Sequence, residues 1–269
     1  MSISSIMLVD IGNTSALTAL ECGGRFFGVK RMSTCVSSCR QVRAFLRPYG
    51  RKEISGAIVS SVVPEFDLIW RSELKRIAGG KIMFVSHKLN LGVKISYPNP
   101  ARIGSDRLAN AVGASEKYGT PVVVADFGTA LTFDFVSVER AYLGGIILPG
   151  PSVFAQCLAG RTALLPLLKE NEIRKIFQPK PNRTPRARSA LIGKCTEEAM
   201  LIGVRLGYLG MVKKVFDEIV RAPFARKAKI CATGGYAEMI MKAAGLSIPC
   251  DPLLTLRGIS RIWSLNRPG

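Results

Sequence analysis

The sequence predicts an α/β protein built as a duplicated fold. Two observations carry that expectation. One short pattern occurs twice, as Asp10-Ile11-Gly12-Asn13-Thr14 and as Asp126-Phe127-Gly128-Thr129-Ala130. The run of predicted elements led by the first copy also starts again after residue 120. Each copy follows an apolar run, Ile6-Met7-Leu8-Val9 or Val122-Val123-Val124-Ala125, and precedes another apolar stretch. Each therefore reads as strand, tight turn, strand, with a carboxylate closing the first strand and small residues in the turn. Glycine lets backbone N–H groups approach an anion closely, and the Asn and Thr side chains add short donors. A carboxylate repels a bare phosphate. Its place here makes sense with a divalent cation between them, since Mg²⁺ prefers carboxylate, water and phosphate oxygens. A hairpin turn without any ligand accounts for either copy alone. The pair, in matching strand contexts, points to a nucleotide clamped between two halves.

The elements follow in order. Ser5–Val9, Ser15–Glu21 and Arg25–Lys30 read as a strand meander. Val36–Pro48 reads as a helix with basic residues on its outer face. Ile54–Val63 is rich in β-branched residues and stops at Pro64, as a buried strand does. Glu65–Ile77 has Leu68, Ile69, Leu74 and Ile77 at helical spacing. Ile82–Val85 is a strand, Lys88–Arg102 a loop with a short strand, and Arg107–Lys117 a helix. After residue 120 come the second hairpin, a strand near Tyr142–Leu148 and a helix-rich last third. Its longest helix is expected over Thr196–Val220. Ile230–Ala232 is a short strand ending in Thr233-Gly234-Gly235, a further glycine-rich anion or nucleotide loop. The domain boundary is placed at residue 120, giving 1–119 and 120–269.

Composition narrows the chemistry. The chain has 269 residues, 48% of them hydrophobic, enough for one large domain or two ordinary ones, each with a sizeable core. No apolar run reaches the length of a bilayer span. Met1–Leu8 lacks a basic region, so no signal peptide is read and a cytoplasmic location is expected. The seven cysteines include no C-x-x-C pair, and His87 is the one histidine. Structural zinc is not expected, and the thiols are expected to be reduced and mostly packed. Scarce histidine also argues against Ser-His-Asp or Cys-His catalysis, leaving a carboxylate or lysine as general base.

The net charge is +19, from 38 basic and 19 acidic residues, which suggests anionic partners. The richest stretch holds Lys169, Arg174, Lys175, Lys180, Arg183, Arg186 and Arg188. With Pro179, Pro181 and Pro185 it reads as an extended loop. Few aromatics are interleaved, so no base-stacking surface is indicated. A solvated basic surface is the main reading, and nucleic-acid binding the minor one.

Gly104-Ser105-Asp106-Arg107 opens the Arg107–Lys117 helix, whose buried face is marked by Leu108, Ala111, Val112 and Ser115. Ser105 or Asp106 as an N-cap explains these residue types. Asp106 and Arg107 also offer chemistry. A helix N-terminus orders anions, an arginine there can grip a carboxylate bidentately, and the aspartate beside it can take a proton from a hydroxyl. That pairing suits a substrate with a carboxylate at one end and an attacking alcohol elsewhere.

Taken in order, these motifs resemble the type III pantothenate kinases over nearly the whole chain. The resemblance rests on Asp10-x-Gly12-Asn13-Thr14, Ser60-Ser61-Val62-Val63-Pro64, Tyr97-x-Asn99-Pro100 and Gly104-Ser105-Asp106-Arg107. It continues through Asp126-x-Gly128-Thr129-Ala130-x-Thr132-x-Asp134, Gly144-Gly145-Ile146-Ile147-Leu148-Pro149-Gly150, Thr196-Glu197-Glu198-Ala199 and Thr233-Gly234-Gly235. It implies two duplicated ribonuclease H-like (actin-like) α/β domains with the active site in the cleft between them. It implies ATP-dependent phosphorylation of pantothenate at its primary hydroxyl. By that similarity Asp10, Gly12, Asn13, Thr14 and Ser15 hold the ATP phosphates, with Asp10 facing Mg²⁺, and Thr129 reaches ATP from the second domain. Asp126 binds a monovalent cation, K⁺ or NH₄⁺, and Asp106 is the general base. Tyr97, Gly104, Ser105, Asp106 and Arg107 line the pantothenate site, and Thr196 reaches it from the neighbouring subunit of a homodimer. Cys195 departs from the family's usual Asn before that threonine. A sugar or carboxylate kinase or a phosphatase of the same superfamily is disfavoured by the Tyr97–Pro100 and Gly104–Arg107 motifs.

Overall fold

The computed structural model describes residues 5–34, 38–50, 52–178 and 191–267. The chain opens with β1 (Ser5–Ile11), β2 (Ser15–Cys22) and β3 (Arg25–Ser33), then α1 (Cys39–Leu46), β4 (Ile54–Ser61), α2 (Pro64–Lys75) and β5 (Ile82–Phe84). It continues with β6 (Lys94–Ile95), α3 (Ser105–Tyr118), β7 (Val122–Phe127), β8 (Ala130–Val136) and β9 (Ala141–Pro149). The remainder is mostly helical: α4 (Pro151–Gln156), α5 (Glu170–Phe177), α6 (Thr196–Arg221), β10 (Lys229–Thr233), α7 (Ala237–Ala244) and α8 (Leu254–Asn266).

These strands form two five-stranded sheets, ordered β3-β2-β1-β4-β5 and β10-β7-β8-β9-β6. The first begins as an antiparallel meander and turns parallel at β1–β4 and β4–β5. A parallel neighbour needs a crossover, and the α1 segment supplies the one between β3 and β4. In the second sheet β10 lies parallel to β7, and β6 parallel to β9. The strand-led, mixed α/β duplication expected from the two Asp-led patterns is present.

The residues gather into two compact units, one of residues 1–121, 134–144 and 253–269, the other of 122–133 and 145–252. In the first unit, β1 is buried along nearly its whole length, as a central strand reading Ile-Met-Leu-Val should be. Met7, Val9 and Ile11 pack with Val42 and Leu46 of α1 and with Trp70 and Leu74 of α2. In the second unit, Tyr208 of α6 sits between Phe154 and Phe177, with ring centroids 5.6 and 5.7 Å away.

Three expectations are corrected. The first predicted helix begins at Cys39, where Ser38 and Gln41 form a reciprocal capping box; Cys35 lies outside the described residues. The basic stretch is not all loop, since Glu170–Phe177 is helical. Its Glu172 carboxylate accepts the Lys169 N–H at 2.9 Å, and Ile173 and Phe177 are buried. Lys180, Arg183, Arg186, Arg188 and the three prolines lie outside the described residues. The thiols are not mostly packed: Cys39, Cys157 and Cys195 are exposed, and among the described cysteines only Cys231 is buried.

Helix α8 crosses α3 at two glycines. A Cβ on Gly258 would lie 1.8 Å from the Ala109 carbonyl oxygen, and one on Gly113 would lie 2.5 Å from that of Leu254. Backbone cannot yield as a side chain can, so Gly258→Ala forces the helices apart. We expect a stability loss at or above the upper end of the usual overpacking cost, about 3 kcal/mol, read as a lower urea midpoint. A midpoint equal to that of the parent chain refutes it.

Candidate active site

In the first unit, β1 delivers Asp10 and then turns back. Gly12 N–H donates to the Ser15 carbonyl at 3.1 Å and closes the turn. A Cβ on Gly12 would come within 3.3 Å of that carbonyl oxygen, so the turn is tight. Thr34 Oγ1 donates to the Asn13 carbonyl at 2.7 Å, and Arg31 Nη1 to Ser15 Oγ at 2.8 Å. The backbone is thereby fixed from two sides, while Asn13 and Thr14 are exposed.

Asp10 pairs in register with Ser60 on β4. Ser60 Oγ and Ser105 Oγ lie 3.1 Å apart, and Ser105 Oγ also accepts from Ser61 N–H and donates to the Ser61 carbonyl, each at 2.8 Å. The first residue of α3 is thus bolted to the strand beside Asp10. Capping chemistry for Ser105 or Asp106 is overturned: the N-cap is Gly104, and no side chain caps the helix. The Ser105 hydroxyl turns to β4 instead, where its contact with Ser60 is buried and its bonds to Ser61 are part-buried. Asp106 Oδ1 accepts the N–H of Arg107 at 2.8 Å. A Cβ on Gly104 would stand 2.5 Å from that oxygen, so glycine makes room for the carboxylate. Burial pushes the Asp106 carboxyl above the ordinary carboxylate range, against the Arg107 N–H and charge that pull it down.

Arg107 continues the site. Its Nε and Nη2 lie 2.8 and 2.7 Å from Asp134 Oδ1, an aspartate with no solvent exposure. The Tyr142 hydroxyl donates to the same oxygen at 2.8 Å. Burial pushes the Asp134 carboxyl up to about 6, although Arg107 and Tyr142 both favour its charged form. Burial likewise pushes the Tyr142 phenol up, and Asp134 adds to it. Tyr97, partly exposed, packs edge-on against Tyr142 with centroids 6.3 Å apart. Gly144, at φ +106°, lets the Tyr97 ring approach, since a Cβ there would meet it at 3.1 Å. Asp10, Gly12–Ser15, Tyr97 and Gly104–Arg107 therefore all belong to one unit. Asp134 is the functional candidate that sequence reasoning missed as a site residue. Its signal was a carboxylate inside the largely apolar run Ala130–Val136.

In the second unit, three turns meet. Asp126, the residue before the end of β7, lies in register with Thr233 of β10. Gly234 follows at φ +94°, and a Cβ there would fall 2.5 Å from Asp126 Oδ1 and 2.6 Å from the Phe127 carbonyl carbon. Gly150 N–H donates to the Thr129 carbonyl at 2.9 Å, and a Cβ on Gly150 would lie 2.3 Å from the Gly128 oxygen. The Asp126–Ala130 turn is thus walled by two residues that have no side chain. Arg174 donates to the Gly235 carbonyl at 3.3 Å, and its Cζ lies over the Tyr236 ring, 4.2 Å from the centroid. Thr196 is the exposed first residue of α6. Cys195, its N-cap, makes no side-chain capping bond; instead Glu198 accepts the Lys194 N–H at 2.8 Å.

The fold is similar to that of a putative Baf family transcriptional activator from Campylobacter jejuni (TM-score 0.55, 19% identity, 97% of this chain and 98% of that one). It is also similar to component A of the (R)-2-hydroxyglutaryl-CoA dehydratase of Acidaminococcus fermentans (TM-score 0.54, 12% identity, 95% of each chain). With a carboxylate-led hairpin in each of two five-stranded sheets, the architecture is that of the duplicated, actin-like α/β class. A family model described as type III pantothenate kinase matches residues 6–218. The type III pantothenate kinase of Koribacter versatilis (strain Ellin345) is 38% identical over 216 residues, covering 80% of this chain and 73% of that protein. That of Bacillus cytotoxicus is 31% identical over 268 residues, covering 97% and 96%. The chain belongs to the type III pantothenate kinase family, ATP-dependent enzymes that phosphorylate an alcohol.

Proposed function

We propose that this chain phosphorylates pantothenate at its primary hydroxyl with ATP, giving 4′-phosphopantothenate, the first step of coenzyme A biosynthesis. The observation that carries the reading is the Asp106–Arg107 pair, bolted through Ser105 to the strand beside Asp10. It puts a proton acceptor and a carboxylate partner next to a phosphate-type turn within one unit. Phosphoryl transfer asks the protein chiefly for positioning and charge neutralisation, and these residues supply such a division of labour.

In this reading the N–H groups of Gly12–Ser15 and the Asn13, Thr14 and Ser15 side chains receive the ATP phosphates, and Thr129 is a further ATP contact. Asp10 holds Mg²⁺, which supplies charge neutralisation at the phosphate oxygens. The donor set fits. One carboxylate, with phosphate and water completing the shell, is how Mg²⁺ is ordinarily held. Asp126, in a turn crowded with backbone carbonyls, holds the monovalent cation, K⁺ or NH₄⁺. Asp106 takes the proton of the primary hydroxyl, Arg107 grips the carboxylate, and Tyr97, Gly104 and Ser105 complete the wall. The duplication is read along the chain as 1–119 and 120–269, each half opening with one Asp-led hairpin, whereas the compact units exchange residues 134–144 and 253–269 across that boundary.

We also assign a homodimer with shared sites. Leu191, Ile192 and Leu206, on and before α6 near Thr196, are 70%, 73% and 53% exposed, which is apolar surface of the kind a second copy covers. Thr196 of one subunit then serves the pantothenate site of the other. Among the described residues no helix is long and apolar enough to cross a membrane, and a cytoplasmic location agrees with the chemistry. The basic surface is assigned to solvation, not to nucleic acid.

Mixing inactive subunits tests the whole reading. In an Asp106→Ala/Thr196→Ala hybrid of a two-fold dimer, one of the two sites regains both residues. Random reassembly of equal amounts should restore about a quarter of the parent activity. Recovery no greater than that of the separate variants sinks the shared site, and a parent chain that leaves pantothenate unphosphorylated sinks the function.

A further inference from the structure

We propose that Asp134 and Tyr142 fix which edge of the Arg107 guanidinium faces the substrate, so that Asp134 is a positioning residue for pantothenate. The inference rests on the reading of Arg107 as the partner of the substrate carboxylate.

The geometry is specific about the edge. Guanidinium is a planar fork with five donors. Its side edge, Nε and Nη2, is aimed at one oxygen, Asp134 Oδ1, at 2.8 and 2.7 Å. That engagement leaves the terminal edge, Nη1 and the outer N–H of Nη2, as the pair of parallel donors that suits a carboxylate. The plane is held as well. The Tyr142 hydroxyl bonds the same Asp134 oxygen at 2.8 Å, and the Tyr142 ring centre lies 5.9 Å from Arg107 Cζ. Tyr97 in turn packs on the edge of Tyr142. Asp134 is 0% exposed and Arg107 12%, so the Asp134 carboxylate has no bulk water as an alternative partner and Arg107 reaches solvent over only a small part of its surface.

Two effects of Asp134 oppose each other. Its negative charge weakens the attraction of Arg107 for a second carboxylate. Its hydrogen bonds hold the fork in the one orientation where both terminal N–H groups point the same way. Bidentate recognition depends steeply on orientation, and an arginine whose side edge loses its buried acceptor must turn to find another. Orientation is therefore expected to win, and the sign of the change in KM decides.

The test compares pantothenate with its alcohol analogue, in which CH₂OH replaces the carboxylate, by steady-state turnover of the full chain. For Asp134→Ala, which removes the acceptor oxygen, the pantothenate KM should rise about tenfold or more, the loss expected for a hydrogen bond involving a charged group. The KM values for ATP and for the alcohol analogue should stay within about twofold. Tyr142→Phe removes one bond to Asp134 without opening space, and should move the pantothenate KM in the same direction by a smaller factor. It decides the matter alone if Asp134→Ala does not fold. A pantothenate KM that is unchanged or lower overturns the inference, as does an equal loss with both substrates. Arg107→Ala keeps the two levels apart. If it fails to discriminate between the substrates, the carboxylate role of Arg107 falls and the inference with it. If it discriminates and neither Asp134→Ala nor Tyr142→Phe does, the inference falls alone.

Discussion

Asp106→Asn is expected to lower kcat for pantothenate by about 10²- to 10⁴-fold, the usual contribution of a positioned base. That is about 3 to 5 kcal/mol of transition-state stabilisation. The pantothenate KM should change little, because Asn keeps the shape and can still accept the Arg107 N–H, so binding survives while proton transfer does not. The pH profile gives a second reading. Burial holds the Asp106 carboxyl above its ordinary range, and only the deprotonated form can serve as base. Activity is therefore full above the shifted pKa and lost as pH falls through it, at a higher pH than a solvent-exposed aspartate would give. The residual rate of Asp106→Asn should lack that dependence. A kcat within tenfold of the parent, or an acid limb that persists in kcat, removes Asp106 from the role of base.

How far the sequence foretold this site differs from residue to residue. The two hairpins were legible because both signals are local: β-branched runs flank a turn rich in glycine and small polar residues, and strand and turn are decided over about ten residues. Helix α3 was legible through its apolar spacing. The part played by Ser105 was not. A serine at a helix start is ordinarily a cap, and only the three-dimensional neighbour β4 offers the Ser61 carbonyl and N–H that Ser105 bonds instead of the helix's own donors. Asp134 escaped as a site residue for a related reason. In sequence it is a polar interruption of a strand, and its partner Arg107 lies on a different element. Nothing local states that Arg107 Nε will arrive 2.8 Å from it. The α5 segment was misread because charge and proline were averaged over Lys169–Arg188, whereas Glu170–Phe177 has its own buried Ile173 and Phe177. Composition described the window; the helix is decided by four or five of its residues.

Gly234→Ala should have a large effect on the Asp126 turn. Two costs combine. At φ +94° an L side chain is strained, since its Cβ crowds its own backbone. The new Cβ would also fall 2.5 Å from Asp126 Oδ1 and 2.6 Å from the Phe127 carbonyl carbon and oxygen, distances no packed carbon tolerates. Either the β10 turn moves or Asp126 does. β7 and β10 are paired in register up to Asp126 and Thr233, and Thr233 is anchored in turn, its Oγ1 donating to the Asp251 carbonyl at 2.8 Å. The yielding side is therefore the Asp126 carboxylate and the Phe127–Gly128 peptide. If Asp126 holds the monovalent cation and its turn contributes to the ATP site, Gly234→Ala should raise the ATP KM about tenfold or more, equivalent to about 1.4 kcal/mol. It should also flatten the activation by K⁺, and leave the pantothenate KM nearly unchanged because Asp106, Arg107 and Tyr97 lie in the other unit. Asp126→Ala should abolish the K⁺ response by a different route, deleting the ligand instead of displacing it. The two variants together should be no worse than Asp126→Ala alone in K⁺ dependence, since a displaced carboxylate and an absent one leave the same gap. An additive loss would mean that the methyl group acts on something other than Asp126. An unaltered ATP KM and K⁺ response in Gly234→Ala would mean that the turn does not serve the nucleotide at all.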